Sequence, residues 1–269
     1  MTADAGTAPE PAVERWAVRI EYDGRPFVGW QRQITGLSVQ QVLEEAAGRL
    51  AAGRPVTSIT AGRTDAGVHA TGQVAHLDFP IGTGLTGAKV RDALNFHMKP
   101  HPVAILQAMP VDSAWNARFS ANRRFYRYRI VNRRGRLALD DGRVWLVKRA
   151  LDIDAMNEAA RHLLGRHDFT SFRASACQAK SPLRTLDRLA VMRHGEEITI
   201  EADARSFLHH QVRNMVGTLK LVGEGTWAPE RVGEALRACD RRAAGPTAPP
   251  DGLYLTGVGY DPDPFSVAC

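Results

Sequence analysis

Alternating apolar and polar residues predict the strands of this chain. Over residues 16–22 every second residue is apolar, which is typical of a strand with one buried face. Asp23 and Gly24 then interrupt the pattern. Similar stretches predict further strands at 73–79, 103–108, 124–131, 143–147, 183–193, 198–204 and 253–260, with His194 and Gly195 turning between the pair at 183–193 and 198–204.

Helical spacing of apolar residues separates these strands. Ser38 is a predicted N-cap, and Gln41 three residues later completes the signature of a capping box. Apolar residues follow at 39, 42, 43, 46, 47 and 50, as in a helix that buries one face. Four more helices are predicted at 88–96, from Asp152 or Asp154 to before Gly165, from about His209 to Val222, and from Pro229 to about Cys239.

This mixture of strands and helices predicts an α/β (α+β) fold in which two parts of the chain have similar character. We place a boundary near Asp112. Residues 1–13, small and polar, are expected to be a disordered leader, 14–112 an N-terminal half, and 113–269 a C-terminal half.

Composition narrows the class of protein. The chain has 269 residues, of which 44% are hydrophobic and 24% charged, values near the average of globular proteins. No stretch approaches the ~20 apolar residues that cross a bilayer, and the N-terminus lacks the layout of a secretion signal. The three widely spaced cysteines, Cys177, Cys239 and Cys269, outline no disulfide framework. We expect a cytoplasmic protein without a membrane segment.

Positive charge is concentrated in one segment. The formal net charge is +6, and residues 113–139 contain no Asp or Glu. Eight arginines lie there: Arg118, Arg123, Arg124, Arg127, Arg129, Arg133, Arg134 and Arg136. Such a field attracts a phosphate backbone. A solvated arginine-rich surface is the alternative, and charge alone does not choose between them.

The candidate chemistry lies in the polar, glycine-bracketed segment 60–69. Gly62 and Gly67 allow a sharp bend and close approach of a ligand. Arg63 and Asp65 are two residues apart, so extended geometry places them on one face, within reach of an ion pair. An ionised aspartate in a pocket can serve as a nucleophile or a base. The alternative is an ordinary Asx turn with a structural ion pair.

Aromatic and basic residues interleave in the strand predicted at 124–131. Alternation places Tyr126, Tyr128 and Ile130 on one face and Arg127 and Arg129 on the other. Such a strand suits stacking on a base while nearby arginines hold phosphates. A sheet that buries two tyrosines is the alternative.

A third cluster spans residues 207–217. Phe207, Val212 and Met215 suggest the start of a buried helix, where Arg213 needs a carboxylate or phosphate partner. His209 and His210 are adjacent, so on a helix they point apart and share a metal only with difficulty. We therefore expect no metal site.

One glycine motif is set aside. Residues 82–87 fit the dinucleotide-binding glycine pattern, but no Asp or Glu lies about 20 residues further on, where such a site contacts ribose. His76 and Asp78 also break the apolar strand that such a unit requires. A loop is the preferred interpretation, and a nucleotide-dependent oxidoreductase is the alternative that a nicotinamide titration tests.

Taken together, the motifs resemble the tRNA pseudouridine synthase A family. They are the segments 20–24, 29–33, 61–69, 117–121, 168–173, 209–214 and 252–255, and their order spans nearly the whole chain after the leader. The Gly-Arg-Thr-Asp-Ala-Gly-Val-His run at 62–69 is the most specific. Phe125, Gln211 and Ala70 depart from the pattern of the family.

This resemblance implies a pair of similar halves around a central antiparallel sheet flanked by helices, with a basic cleft between them. It implies an isomerase that converts uridine to pseudouridine at positions 38, 39 and 40 of the tRNA anticodon stem-loop, as a homodimer and without a cofactor. Asp65 is then the nucleophile, with Arg63 beside it and Arg213 as its ion-pair partner, while Tyr126 stacks on the target uracil and Leu253 lines the pocket. A non-catalytic RNA-binding protein is the alternative, and retention of Asp65 speaks against it.

Overall fold

The computed structural model describes residues 13–80 and 84–266 and contains one large sheet. Five α-helices lie in these residues: α1 (Val39–Leu50), α2 (Gly87–His97), α3 (Ile153–Arg161), α4 (Gln211–Gly223) and α5 (Glu230–Arg237). The strands are β1 (Val13–Tyr22), β2 (Ser58–Thr60), β3 (His69–Pro80), β4 (Val103–Val111), β5 (Arg123–Asn132), β6 (Trp145–Val147), β7 (Gly165–Asp168), β8 (Leu183–His194), β9 (Glu197–Ala204) and β10 (Leu253–Gly259).

The sheet runs in the order β4-β1-β3-β10-β5-β9-β8-β7, with β2 beside β3 and β6 beside β5. Its pairs are antiparallel except β3 with β10 and β5 with β6. The prediction of a central, mostly antiparallel sheet flanked by helices is therefore confirmed. The last strand, β10, lies between β3 and β5 and joins the first part of the chain to the second.

Two main hydrophobic cores support this sheet. The first packs α1 and α2 on β1, β3 and β4, and its buried residues fall between Trp16 and Ala108 except for Leu255 of β10. The second packs α3, α4 and α5 on β5, β8 and β9. Tyr126 contacts both cores. We propose on this basis that the division of the chain into two halves lies near Asp112, between β4 and β5.

Most of the predicted elements are present with small shifts at their ends. The Ser38 hydroxyl caps α1 by accepting from the Gln41 backbone N–H at 3.1 Å. The second bond of a capping box, from the Ser38 N–H to the Gln41 carboxamide oxygen, is not among the hydrogen bonds of the described residues, and the Gln41 NH2 group donates to Glu45. The β8–β9 turn lies at residues 195–196, one position later than predicted, and β2 and β7 were not predicted.

The ends of the chain and one loop bear on three expectations. The predicted leader lies outside the described residues except for Val13, which already belongs to β1. Gly82 of the set-aside glycine motif also lies outside them, while Gly87 starts α2. None of the described helices has the length and apolar character needed to span a membrane.

Candidate active site

The segment 61–68 links β2 to β3 and is fixed from several sides. The Tyr22 and Thr64 hydroxyls share a buried hydrogen bond of 2.7 Å, and the Trp30 backbone N–H donates to the Thr64 carbonyl at 3.0 Å. Gly67 has a φ of +77°, a left-handed conformation that favours glycine, so the expected bend is present there. Gly62 does not have a positive φ. These constraints hold Asp65 in a defined position.

Asp65 contacts three side chains from the other half of the chain. Its Oδ1 lies 3.1 Å from Nε2 of His209, and its Oδ2 lies 3.3 Å from Nε2 of His210. Nη1 of Arg213 lies 3.4 Å from the same Oδ2. The Arg213 guanidinium is held from behind, because its Nε donates to the Ala248 carbonyl at 2.8 Å. Two imidazoles and one guanidinium therefore converge on the Asp65 carboxylate.

The expected ion pair between Arg63 and Asp65 is not among the contacts of the described residues, so that prediction was wrong. Arg63 is exposed at the edge of the cleft that Asp65 lines. Residues 63–65 are not part of a strand, so a spacing of two residues does not place the two side chains on one face as it would in regular β geometry. Asp65 instead faces His209, His210 and Arg213.

His209 and His210 do not lie on a helix. Our prediction that their side chains point apart, and share a metal ion only with difficulty, was therefore wrong. His210 has a φ of +62° and precedes α4, which starts at Gln211. This left-handed turn brings the two imidazoles to a centroid distance of 4.0 Å and directs both towards Asp65. Burial lowers the pKa of His210, and the Asp65 carboxylate opposes this effect. No pattern in the sequence indicated this turn.

Tyr126 lines the same cleft from β5. Its ring meets the ring of Phe207 edge to face, with 5.1 Å between the centroids. Phe207 itself lies before α4, which starts at Gln211, and so is not part of the helix start that we predicted. Burial, with a contribution from the nearby Asp65 carboxylate, raises the pKa of the Tyr126 phenol well above its usual value. The phenol is therefore neutral at physiological pH. Tyr128 is fully buried, and its hydroxyl donates to the Pro249 carbonyl. Tyr128 is therefore a tyrosine buried by the sheet, as in the alternative interpretation of this strand.

Leu253 reaches the cleft because β10 is inserted beside β5. It is the first residue of β10, pairs with Tyr128 in register, and is buried. Asp65, Arg63, Arg213, Tyr126 and Leu253 thus all line one cleft of about 1300 Å³. The cleft therefore brings together residues as far apart in sequence as Arg63 and Leu253.

Arg124 has a structural role that its position in the basic segment did not reveal. It is buried, and its guanidinium donates to four backbone carbonyls, those of Ala61, Arg118, Ala121 and Arg205, at 2.7–3.2 Å. Burial lowers the pKa of this guanidinium. Arg124 therefore ties the start of the Asp65 segment to β5 and to the end of β9.

Other arginines of the basic segment turn away from the cleft. Arg127 donates to Glu201 at 2.9 Å and Arg129 to Glu197 at 2.7 Å, and neither lines the cleft. The expectation that these two arginines hold phosphates beside Tyr126 is not supported by this geometry. Arg63, Arg118, Arg184 and Arg213 do line the cleft together with Arg124. The segment thus supplies both an ion-paired surface and part of a basic cleft.

Comparison with known proteins finds similar sequences of one family. A family model described as tRNA pseudouridine synthase matches residues 159–261. The tRNA pseudouridine synthase A of Acidiphilium cryptum is 68% identical over 254 residues, which cover 94% of this chain and 99% of the relative. The tRNA pseudouridine synthase A of Gluconobacter oxydans is 56% identical over 98% of both chains, and that of Paramagnetospirillum magneticum is 63% identical over 91% of this chain and 95% of its own.

The mixed fold with its mostly antiparallel sheet is that expected of a pseudouridine synthase, the class that the matching model describes. With relatives of this similarity over nearly their full length, the chain belongs to the tRNA pseudouridine synthase A family. The resemblance drawn from the motifs is confirmed, and the alternative of a nucleotide-dependent oxidoreductase is abandoned.

Proposed function

We propose that this protein isomerises uridine to pseudouridine in tRNA, with Asp65 as the nucleophile. The observation that carries the proposal is the position of the Asp65 carboxylate, 22% exposed in a basic cleft and contacted by His209, His210 and Arg213. Membership of the tRNA pseudouridine synthase A family supports the substrate and the reaction.

The reaction exchanges one bond to the ribose for another. The bond between C1′ and N1 breaks, uracil rotates, a bond from C1′ to C5 forms, and the C5 proton leaves while N1 gains a proton. No atoms are gained or lost overall, so no oxidant, reductant or energy source enters the balance. Asp65 attacks either C1′ of the ribose or the uracil ring, and both routes fit the same carboxylate.

The target uridine has to leave the base stack to reach Asp65, at a cost of a few kcal/mol. Stacking on an aromatic ring is worth about 1–3 kcal/mol, and Tyr126, beside Asp65 in the cleft, offers such a ring. Leu253 closes the apolar side of the pocket. Because the Tyr126 phenol is neutral, we assign it to stacking and hydrogen bonding. A water held by the phenol is then a better acceptor of the C5 proton than the phenol itself.

Arg213 and Arg63 take different parts in this proposal. Arg213 is the ion-pair partner that orients Asp65. Arg63, exposed at the edge of the cleft, meets the tRNA backbone. Together with Arg118 and Arg184 it provides the positive potential that a phosphate chain requires.

We further propose that the modified uridines are those at positions 38, 39 and 40 of the anticodon stem-loop and that the enzyme acts as a cytoplasmic homodimer. Mapping pseudouridines in tRNA from cells with and without this protein tests the positions. Loss confined to 38–40 supports the proposal, and loss elsewhere contradicts it. The dimer stays a prediction that sedimentation of the pure protein tests.

A non-catalytic RNA-binding protein is the remaining alternative. It would bind tRNA in the same cleft but would leave its uridines unchanged. The purified protein, incubated with unmodified tRNA and no additions, separates the two functions, because only the enzyme produces pseudouridine.

A further inference from the structure

The three side chains His209, His210 and Asp65 present their polar atoms at the spacing of metal ligands. One Nε2 from each imidazole and one carboxylate oxygen lie within 4.8 Å of one another. Nε2 of His209 lies 3.1 Å from Oδ1 of Asp65, and Nε2 of His210 lies 3.3 Å from Oδ2, the other oxygen of the same carboxylate. Four ligands at zinc–nitrogen and zinc–oxygen distances of about 2.0–2.2 Å around a tetrahedral ion are about 3.3–3.6 Å apart. The contacts of 3.1 and 3.3 Å are close to this range, while separations of up to 4.8 Å have to shorten before the three side chains enclose an ion.

We propose that Asp65, His209 and His210 bind a divalent first-row transition ion such as Zn²⁺, and that the bound ion blocks the active site. Two imidazoles and one carboxylate are ligands that suit such ions. The site itself follows from geometry alone. The blockade rests on the proposed function, in which Asp65 has to be free to attack.

The cleft leaves room for the ion and for a fourth ligand. The His209 side chain is 42% exposed and the Asp65 side chain 22%, and both line the cleft of about 1300 Å³. An ion can thus enter from solvent, and a water can complete a site with three protein ligands.

Arg213 sets the strength of the site. Its Nη1 lies 3.4 Å from Oδ2 of Asp65, and its Nε is held by the Ala248 carbonyl. A cation so close weakens the binding of a second cation, so we expect moderate affinity and ready reversal by a chelator. In this proposal the bound ion inhibits the enzyme.

The same contacts are also compatible with hydrogen bonds from the two imidazoles to the carboxylate. The two interpretations differ in what they predict for added ions. Hydrogen bonds alone predict that Zn²⁺ and Co²⁺ bind no more tightly at this turn than at any exposed histidine. A chelating site predicts one specific equivalent that depends on His209 and His210 together.

Binding is measured first without tRNA, so that it does not depend on the reaction. The metal-stripped full-length protein is titrated with Co²⁺, followed by visible absorption, and with Zn²⁺, followed by calorimetry. The variants are His209→Ala, His210→Ala and the double variant, each checked for folding by circular dichroism. His194→Ala removes an exposed histidine outside the cleft and is the matched control.

We expect one equivalent per chain with a tetrahedral Co²⁺ spectrum, unchanged in His194→Ala, weakened at least about tenfold in each single variant and lost in the double variant. Absence of saturable binding, or binding that persists in the double variant, overturns the site.

Inhibition is measured separately on wild-type enzyme as pseudouridine formation with Zn²⁺, with and without a chelator. Reversible inhibition that more tRNA relieves supports the blockade. Specific binding that leaves turnover unchanged overturns the blockade and counts against Asp65 as the nucleophile, while the site itself stands. The binding and inhibition experiments therefore show separately whether the metal site or the blockade of Asp65 fails.

Discussion

The hydroxyl of Tyr22 lies 2.7 Å from the hydroxyl of Thr64, the residue that precedes Asp65, and both side chains are buried. Gln73, also buried, donates from its carboxamide to the Gly62 carbonyl at 2.7 Å. Polar side chains of β1 and β3 therefore hold the Asp65 segment through hydrogen bonds to Thr64 and Gly62. The position of the carboxylate depends on these contacts as well as on its partners in the cleft.

Tyr22→Phe tests this support. The change keeps the ring but leaves the buried Thr64 hydroxyl without its partner, which costs about 1–3 kcal/mol. We expect kcat for pseudouridine formation to fall about tenfold while the affinity for tRNA is unchanged, because the cleft arginines are untouched.

The control for that variant is Thr64→Val alone and combined with Tyr22→Phe. Since the two hydroxyls act as a pair, the double variant is expected to lose less than the sum of the single effects. Simple additivity of the two losses in kcat, or a normal kcat in Tyr22→Phe, contradicts a positioning role.

Arg124→Met tests the link between the Asp65 segment and β5. The change removes donors from four backbone carbonyls, so we expect the free energy of unfolding to fall by about 3 kcal/mol or more. Arg127→Met is the matched control, because it removes an exposed ion pair that is worth at most about 1 kcal/mol. Similar denaturant midpoints for the two variants would show that Arg124 is not the structural link.

RNA binding distinguishes the arginines of the cleft from those of the opposite surface. Replacing Arg63 or Arg118 with Ala should weaken tRNA binding and reduce the slope of log affinity against log salt by ~0.7–0.9 for each lost phosphate contact. Replacing Arg127 or Arg129 should leave the slope unchanged, because both are paired with glutamates and neither lines the cleft. Filter binding at several salt concentrations measures both, and a lower slope in the Arg127 variant would place RNA on that surface.

Stability at acid pH depends on His76. Burial lowers the pKa of this histidine to about 4, and its Nδ1 accepts from the Ala117 backbone N–H at 3.1 Å. The unfolded chain, with a pKa near 6.5, binds the proton first as the pH falls. The contribution of His76 to stability is therefore complete above about pH 6.5 and is lost between about 6.5 and 4.

His76→Asn is the variant for this test, since Asn keeps an acceptor near the position of Nδ1 and does not titrate. We expect its free energy of unfolding to depend less on pH than that of the wild type, by at most about 1.4 kcal/mol per pH unit within this window. Parallel curves for the two proteins would mean that His76 takes up its proton without cost in the folded state.

Local sequence patterns predicted the elements well because each depends on neighbouring residues. Ser38 caps α1 as expected, since a hydroxyl at the N-cap needs only the N–H three residues on. The alternation of β5 correctly separated Tyr126 from Arg127. The antiparallel sheet was expected from the resemblance to the family, but its strand order was not. In particular, the insertion of β10 between β3 and β5 is a long-range pairing that local periodicity does not encode.

Only part of the candidate site was predicted, because its geometry also depends on contacts between residues far apart in sequence. Asp65 and Arg213 were proposed, and they lie in contact although 148 positions separate them. The pairing of Arg63 with Asp65 was wrong, because it assumed strand geometry for residues 63–65, which lie in the loop between β2 and β3. His209 and His210 were treated as helical neighbours, whereas the left-handed backbone of His210 brings both rings to the carboxylate. A positive φ is uncommon at residues other than glycine, and although histidine adopts it more often than most, the residue type alone did not identify the turn.

The central claim is that the Asp65 carboxylate performs the chemistry. It is tested most directly by tritium release from tRNA labelled at carbon 5 of uridine, measured for the wild type, for Asp65→Asn and for His194→Ala as the control. We predict that Asp65→Asn binds tRNA within a few fold of the wild type but releases no tritium, while the control releases it at the normal rate. Full turnover by Asp65→Asn would contradict the account.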